Sequence, residues 1–150
     1  MEIPPLKHPK LLEIENALTL FDPALVEFGR KHGFVLSRGG HGGAHMPRRG
    51  LRRILPDFTQ GIGLVMACDI RERLERGFYP DLPCRLYINA CTLGAEPSPR
   101  RWLHHMVVES QPWSEFEADL LKHLTTAARM LELHTRDYVI EHGECEQFSR

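Results

Sequence analysis

The spacing of apolar residues changes several times along the chain, and each change marks an element. Leu11, Ile14 and Leu18 recur at helical intervals within 10–20, which predicts a short first helix. Asp22-Pro23 has the form of an N-cap followed by proline at the first helical position. Leu25, Val26 and Phe28 then supply an apolar face, and Gly33 is placed as the left-handed stop of a second helix. Phe34-Val35-Leu36 is a candidate strand. Leu51 to Phe58 is strand-like too, with Pro56 implying an edge or a bulge. From Ile62 to Ile70 the apolar residues alternate with Gly63, Val65, Ala67 and Asp69, the period-two signature of a strand. Residues 71–76 fit a helical turn or a continuing strand equally well. Cys84 to Leu93 alternates again, with Leu86, Ile88 and Ala90 on one side and Tyr87, Asn89 and Cys91 on the other. Trp102 to Glu109 reads as the last strand.

The strongest pattern is C-terminal. Ser114 and Glu117 match a capping box, and Phe116, Leu120, Leu124, Ala127, Leu131 and Tyr138 follow at three- and four-residue spacing, interrupted by His134. One amphipathic helix ending near Gly143 is expected. Strands joined by short Gly- or Pro-bearing connections favour antiparallel pairing. The expectation is an α+β fold: an antiparallel sheet of four to five strands, two N-terminal helices, and one long C-terminal helix packed on one face. At 150 residues the chain fits a single domain, 1–150, with 1–9 as an extended lead-in, 37–50 as a flexible Gly/Arg loop and 142–150 as an acidic tail. The layout resembles several small bacterial α+β domains, immunity-type and lipid-pocket folds among them, but shares no motif with them.

Composition narrows the function classes. Nineteen basic against twenty acidic residues give a net charge of −1, which excludes a bulk polycation. No stretch approaches the ~20 apolar residues of a membrane span, and the N-terminus lacks a signal-type hydrophobic core, so a cytoplasmic location in a bacterium is expected, with no membrane partner. Cys68, Cys84, Cys91 and Cys145 form no C-x-x-C pair, so neither a zinc site nor a disulfide scaffold is indicated. Cys68 and Cys91 are expected to be buried, and Cys145 exposed.

The near-zero average conceals an uneven distribution. Between Phe28 and Pro56 lie Arg30, Lys31, Arg38, Arg48, Arg49, Arg52 and Arg53 with no acid, while residues 109–119 carry four acids and no base. Arginine forks bind phosphate or carboxylate, and glycine lets a backbone approach such a group. Arg38, Arg48, Arg49, Arg52 and Arg53 are therefore the candidate anion- or partner-binding residues. The competing interpretation is a solvated edge whose arginines deter aggregation. No Phe, Trp or Tyr lies between Arg38 and Arg53, which weighs against single-strand nucleic-acid binding.

Other chemistry is thinly represented. His41 and His45 lie in a glycine-rich loop, and His104 and His105 should point to opposite faces of a strand, so no metal is assigned. His134 reads as a core histidine satisfied by one hydrogen bond. Asp57, Asp69 and Glu109 come from three expected strands and are the acids with a chance of converging. Gly61-Ile62-Gly63 lacks the third glycine of a dinucleotide fingerprint, and neither a nucleophile elbow nor a P-loop is present. No cofactor or catalytic residue is indicated.

Three readings follow. The leading one is a non-enzymatic binding or adaptor module, with a protein partner or a homodimer joined through the opposed charges. The alternative is a pocket protein or enzyme for an anionic small molecule, the pocket lying between helix and sheet. There the Arg-rich loop would act as lid, and Arg52, Arg53 and His104 would orient the ligand. Nucleic-acid binding through 38–53 ranks third.

Overall fold

The computed structural model describes residues 18–37, 48–66, 83–92 and 100–145. They form an α+β fold around a six-stranded antiparallel sheet whose strands are ordered as in the chain, each paired with the next. The strands are β1 (Val35–Ser37), β2 (Arg48–Leu55), β3 (Phe58–Met66), β4 (Pro83–Thr92), β5 (Arg101–Pro112) and β6 (Glu144–Cys145). The four to five strands expected become six because Glu144–Cys145 pairs with Arg101–Trp102. Two residues are too few for a periodic signal, so this stretch reads as tail. Ser37 and Arg48–Gly50, the two ends of the expected 37–50 loop, are also strand; 38–47 lies outside the described residues, as do 1–9, Asp69 and 71–76.

The described helices are a 3-10 turn (Thr19–Phe21), α1 (Asp22–His32), α2 (Trp113–Leu133) and α3 (Arg136–His142). The end of the expected first helix is that 3-10 turn, which runs directly into α1. Gly33 terminates α1 with φ 82°, and both its N–H and that of Phe34 donate to the Gly29 carbonyl, at 2.8 and 2.9 Å. Asp22 does not cap. It begins the helix, and its carboxylate lies 3.1 Å from Arg49 Nε. Leu25 and Phe28 are buried as expected, whereas Val26 faces solvent.

Pro56 neither bulges nor ends a strand edge. With Asp57 it makes the two-residue turn joining β2 to β3, from Leu55 to its partner Phe58. Asp57 has φ 62°. Proline followed by a residue of positive φ is the arrangement of a type II turn.

The long C-terminal helix that was expected is present as α2, and a short further helix, α3, follows it. Helix α2 begins at Trp113 with Pro112 as N-cap and no side-chain cap, so the Ser114 capping box is not used. The buried Trp113 ring instead sets the start by packing on Phe21, centroids 4.6 Å apart. Phe116, Leu120, Leu124, Ala127 and Leu131 form the buried stripe. The helix breaks at His134–Thr135, after which Thr135 caps α3 by accepting from Tyr138 N–H. The break shifts the helical phase, so Val139 is fully buried and Tyr138 is half exposed.

The core lies between these helices and one face of the sheet. Leu51, Ile62, Leu64, Cys84, Leu86 and Ile88 meet Leu25, Phe28, Phe116 and the α2 stripe, while Phe58, Ala90 and Val139 form a smaller cluster below α3. No described helix is long and apolar enough to cross a membrane.

Candidate functional site

Strand alternation splits the arginines of β2 between two environments. Arg49, Leu51 and Arg53 point to the helices, and Gly50 and Arg52 to the opposite, outer face. Arg49, with its side chain only 14% exposed, sits against Asp22 without hydrogen-bond alignment. Arg53 lies over the Phe34 ring, 4.4 Å from its centroid, donates to the His32 carbonyl at 3.0 Å, and forks onto the Gln60 side-chain oxygen. These two arginines serve the fold. Arg30 and Lys31 lie beside Glu27, the former at 2.7 Å. Arg48 occupies β2 opposite Val65, and Arg38 lies outside the described residues. The five candidate arginines are therefore not gathered into one site.

Gln60 was not singled out from sequence. It is 4% exposed, and its amide donates to the carbonyls of Leu131 at 2.9 Å and His134 at 3.0 Å, the free end of α2. His134 is buried as expected, its Nδ1 2.6 Å from the Met130 carbonyl. The helix-facing polar groups named here thus have partners in the chain.

The outer face is built differently. The strand register lines up three rows across it: Ser37, Gly50, Gly63, Tyr87 and Met106; then Val35, Arg52, Gly61, Asn89 and His104; then Ile54, Thr59, Cys91, Trp102 and Glu144. Two glycines of β3 face two polar side chains of β4. A methyl group on Gly63 would stand 2.1 Å from Cζ of Tyr87, and one on Gly61 would stand 2.7 Å from Oδ1 of Asn89. The missing side chains on β3 therefore let the phenol and the amide lie down on the sheet. His104 stacks on Tyr87, ring centroids 4.9 Å apart.

These residues floor a hollow of about 470 Å³, within the size range of small-molecule sites. Its described lining includes Arg52, Arg85, Arg100 and His104 and no Asp or Glu. Arg85 donates to the Glu109 carbonyl at 2.9 Å, and Arg100 to the sulfur of Cys91 at 3.1 Å. Cys91 was expected to be buried but is half exposed here, and Cys145 is exposed. Arg52, the Tyr87 hydroxyl and the Asn89 amide have no hydrogen-bond partner among the described residues. Burial, and then the nearby His105, holds the His104 pKa below its usual 6.5, so its ring is neutral at pH 7.

The hollow is not where the sequence placed it. Helix α2 packs directly on the sheet, and the concavity lies on the other side. Of the three residues expected to orient a ligand, Arg52 and His104 line it, whereas Arg53 is turned away to Gln60. Asp57 and Glu109 do not converge, since Asp57 adjoins the Phe58–Thr92 end of the sheet and Glu109 the Cys84–Gln111 end. His104 and His105 do diverge: the first stacks on Tyr87, and the second lies tilted against His134, ring centroids 4.9 Å apart. Tyr87, Asn89, Trp102 and Arg85 were not named as site residues, and the signal that could have found them is a G-x-G strand facing a Y-x-N strand. Comparison with protein-family models, with curated proteins and with solved structures finds no match, so the reading of this face rests on its own geometry.

Proposed function

We propose that the protein is a binding domain that takes an anionic small molecule in the hollow on the outer face of its sheet. One observation carries this reading. A concavity with no Asp or Glu in its described lining collects arginines, and Arg52, the Tyr87 hydroxyl and Asn89 have no hydrogen-bond partner among the described residues, while Arg53 and Gln60 of the opposite face are hydrogen-bonded within the chain. A guanidinium with no carboxylate beside it among the described residues favours an anion by a charge-assisted hydrogen bond. The adaptor reading is less well supported, because part of its basic segment is neutralised within the chain, by Asp22 on Arg49 and Glu27 on Arg30 and Lys31.

The test is titration with sulfate and with citrate, followed through Trp102, which is 39% exposed and lines the hollow. Arg52→Ala should weaken binding about tenfold or more, as expected for a lost charge-assisted bond. Binding equal to that of the unaltered protein, or no binding by either anion at millimolar concentration, would refute the proposal.

The pH dependence has a definite sign. His104 is neutral at pH 7 and gains a proton below its usual range, since burial and then the nearby His105 lower its pKa. Its protonated ring adds a cation to the hollow. Sulfate affinity should therefore rise as pH falls from 7 towards 5, and His104→Asn should flatten that rise. Sulfate keeps its charge across this range, so the trend reports on the protein. An affinity independent of pH, or one that falls, would remove His104 from the site.

A further inference from the structure

We infer that the anion held in this hollow carries a heteroaromatic ring, and that the ligand has nucleotide chemistry: a base laid on the Tyr87–His104 ring pair and a phosphate held by Arg52. This deepens the proposed function and rests on it. Three features of the outer face point the same way. The Tyr87 phenol lies against Gly63 and stacks with His104, so two aromatic rings are paired on this face. A flat ring of a ligand gains most by stacking on such rings. The next row places Asn89 beside it, its amide laid over Gly61 and without a partner among the described residues. An amide presents one donor and one acceptor side by side, the pattern that a base edge complements.

The third feature is distance. Arg52 shares the row of Gly61 and Asn89 and stands two strands from Asn89, about 10 Å at ordinary strand spacing. A simple oxyanion reaching Arg52 would leave Tyr87 and Asn89 unused. A ring joined to its acid group through a sugar-sized spacer would engage all three, and the hollow of about 470 Å³ has room for it. Ser37 and Thr59 add hydroxyls to the same lining. The shared chemistry is base plus phosphate, available from a free nucleotide or from a single strand of nucleic acid.

The experiment compares four probes on the intact protein by calorimetry and Trp102 fluorescence: AMP, adenosine, ribose 5-phosphate and an eight-nucleotide poly-A RNA. AMP should bind at least tenfold more tightly than either of its halves, as expected when stacking and phosphate contacts add. Tyr87→Leu should lower AMP affinity about tenfold and leave ribose 5-phosphate unchanged, with Asn89→Ala as a second variant at an exposed position. If the RNA binds more tightly than AMP and its affinity falls steeply with salt, the same chemistry is supplied by a strand. If ribose 5-phosphate matches AMP, the ring is not recognised and this inference falls while anion binding stands. If adenosine matches AMP, the phosphate is not recognised and both fall. If none of the four binds, the inference is overturned, and the sulfate and citrate titration decides the broader proposal separately.

Discussion

Gln60→Leu should cost about 2–4 kcal/mol of folding stability, because one side chain closes three connections at once. Its amide satisfies two carbonyls at the end of α2, and its oxygen receives the Arg53 fork that lies over Phe34. Leucine has similar volume and fits an apolar site, so packing is nearly conserved and the loss comes from polar groups left without partners. The Leu131 and His134 carbonyls would be left without these donors at the break between α2 and α3, and the half-buried Arg53 would lose the Gln60 oxygen and keep the His32 carbonyl. Denaturant unfolding of the two proteins checks this at equal m-value. A loss below about 0.5 kcal/mol would mean that water replaces the amide, in which case the α2–α3 corner is open to solvent. Gln60→Glu offers a sharper contrast. It keeps an acceptor for Arg53 but, when ionised, removes both donors to the carbonyls, so hydrogen exchange should increase at the α2–α3 corner first.

Gly63→Val should abolish ligand binding at the outer face, by about two orders of magnitude, while leaving the protein folded. Even a methyl group there would stand 2.1 Å from Cζ of Tyr87, so the phenol must leave the sheet. Valine suits a strand and Tyr87 can swing outward, so the backbone has no reason to unfold. Two losses combine. The Tyr87–His104 ring pair is lost, and the valine together with the displaced phenol occupies the hollow. Far-UV circular dichroism and the thermal midpoint should stay near those of the unaltered protein while AMP and sulfate binding disappear. Binding retained at full strength would show that the ligand sits elsewhere on the molecule. Gly61→Ala is the milder companion, since the amide of Asn89 is the end of a short, movable side chain.

How much of this was legible beforehand depended on whether the deciding contact was local. Alternation in 84–92 fixed which residues of β4 face the core, because a half-buried strand repeats that contact every second position. The α2 stripe was legible for the same reason at helical period. The break at His134 was not, because the residue that holds the α2 end, Gln60, is more than seventy positions away. The same holds for Gly61 and Gly63. Considered alone they are an incomplete dinucleotide fingerprint, and their purpose emerges only opposite Asn89 and Tyr87. The basic segment looked like one patch because a sequence adds charges without regard to facing. The strand period already separates Arg52 from Arg49 and Arg53, and applying it would have divided the patch in advance.

The paired arginines of β2 leave the fold with an ambiguity that another residue must resolve. Arginine occupies 48 and 49, and again 52 and 53. If the strand slid by one position, Arg48 would take the place of Arg49 beside Asp22, Arg52 that of Arg53 beside Gln60, and Ile54 that of Leu55. Every such station would still be chemically filled. The error shows at two neighbouring stations: Arg49 would take the place of Gly50, where a side-chain carbon would stand 2.6 Å from the Ile62 carbonyl oxygen, and Gly50 would enter the site where Leu51 is 2% exposed, leaving a void in the core opposite Ile62. Gly50-Leu51, with the Pro56-Asp57 turn, thus acts as the alignment mark of the hairpin, deciding which arginines are kept for the interior.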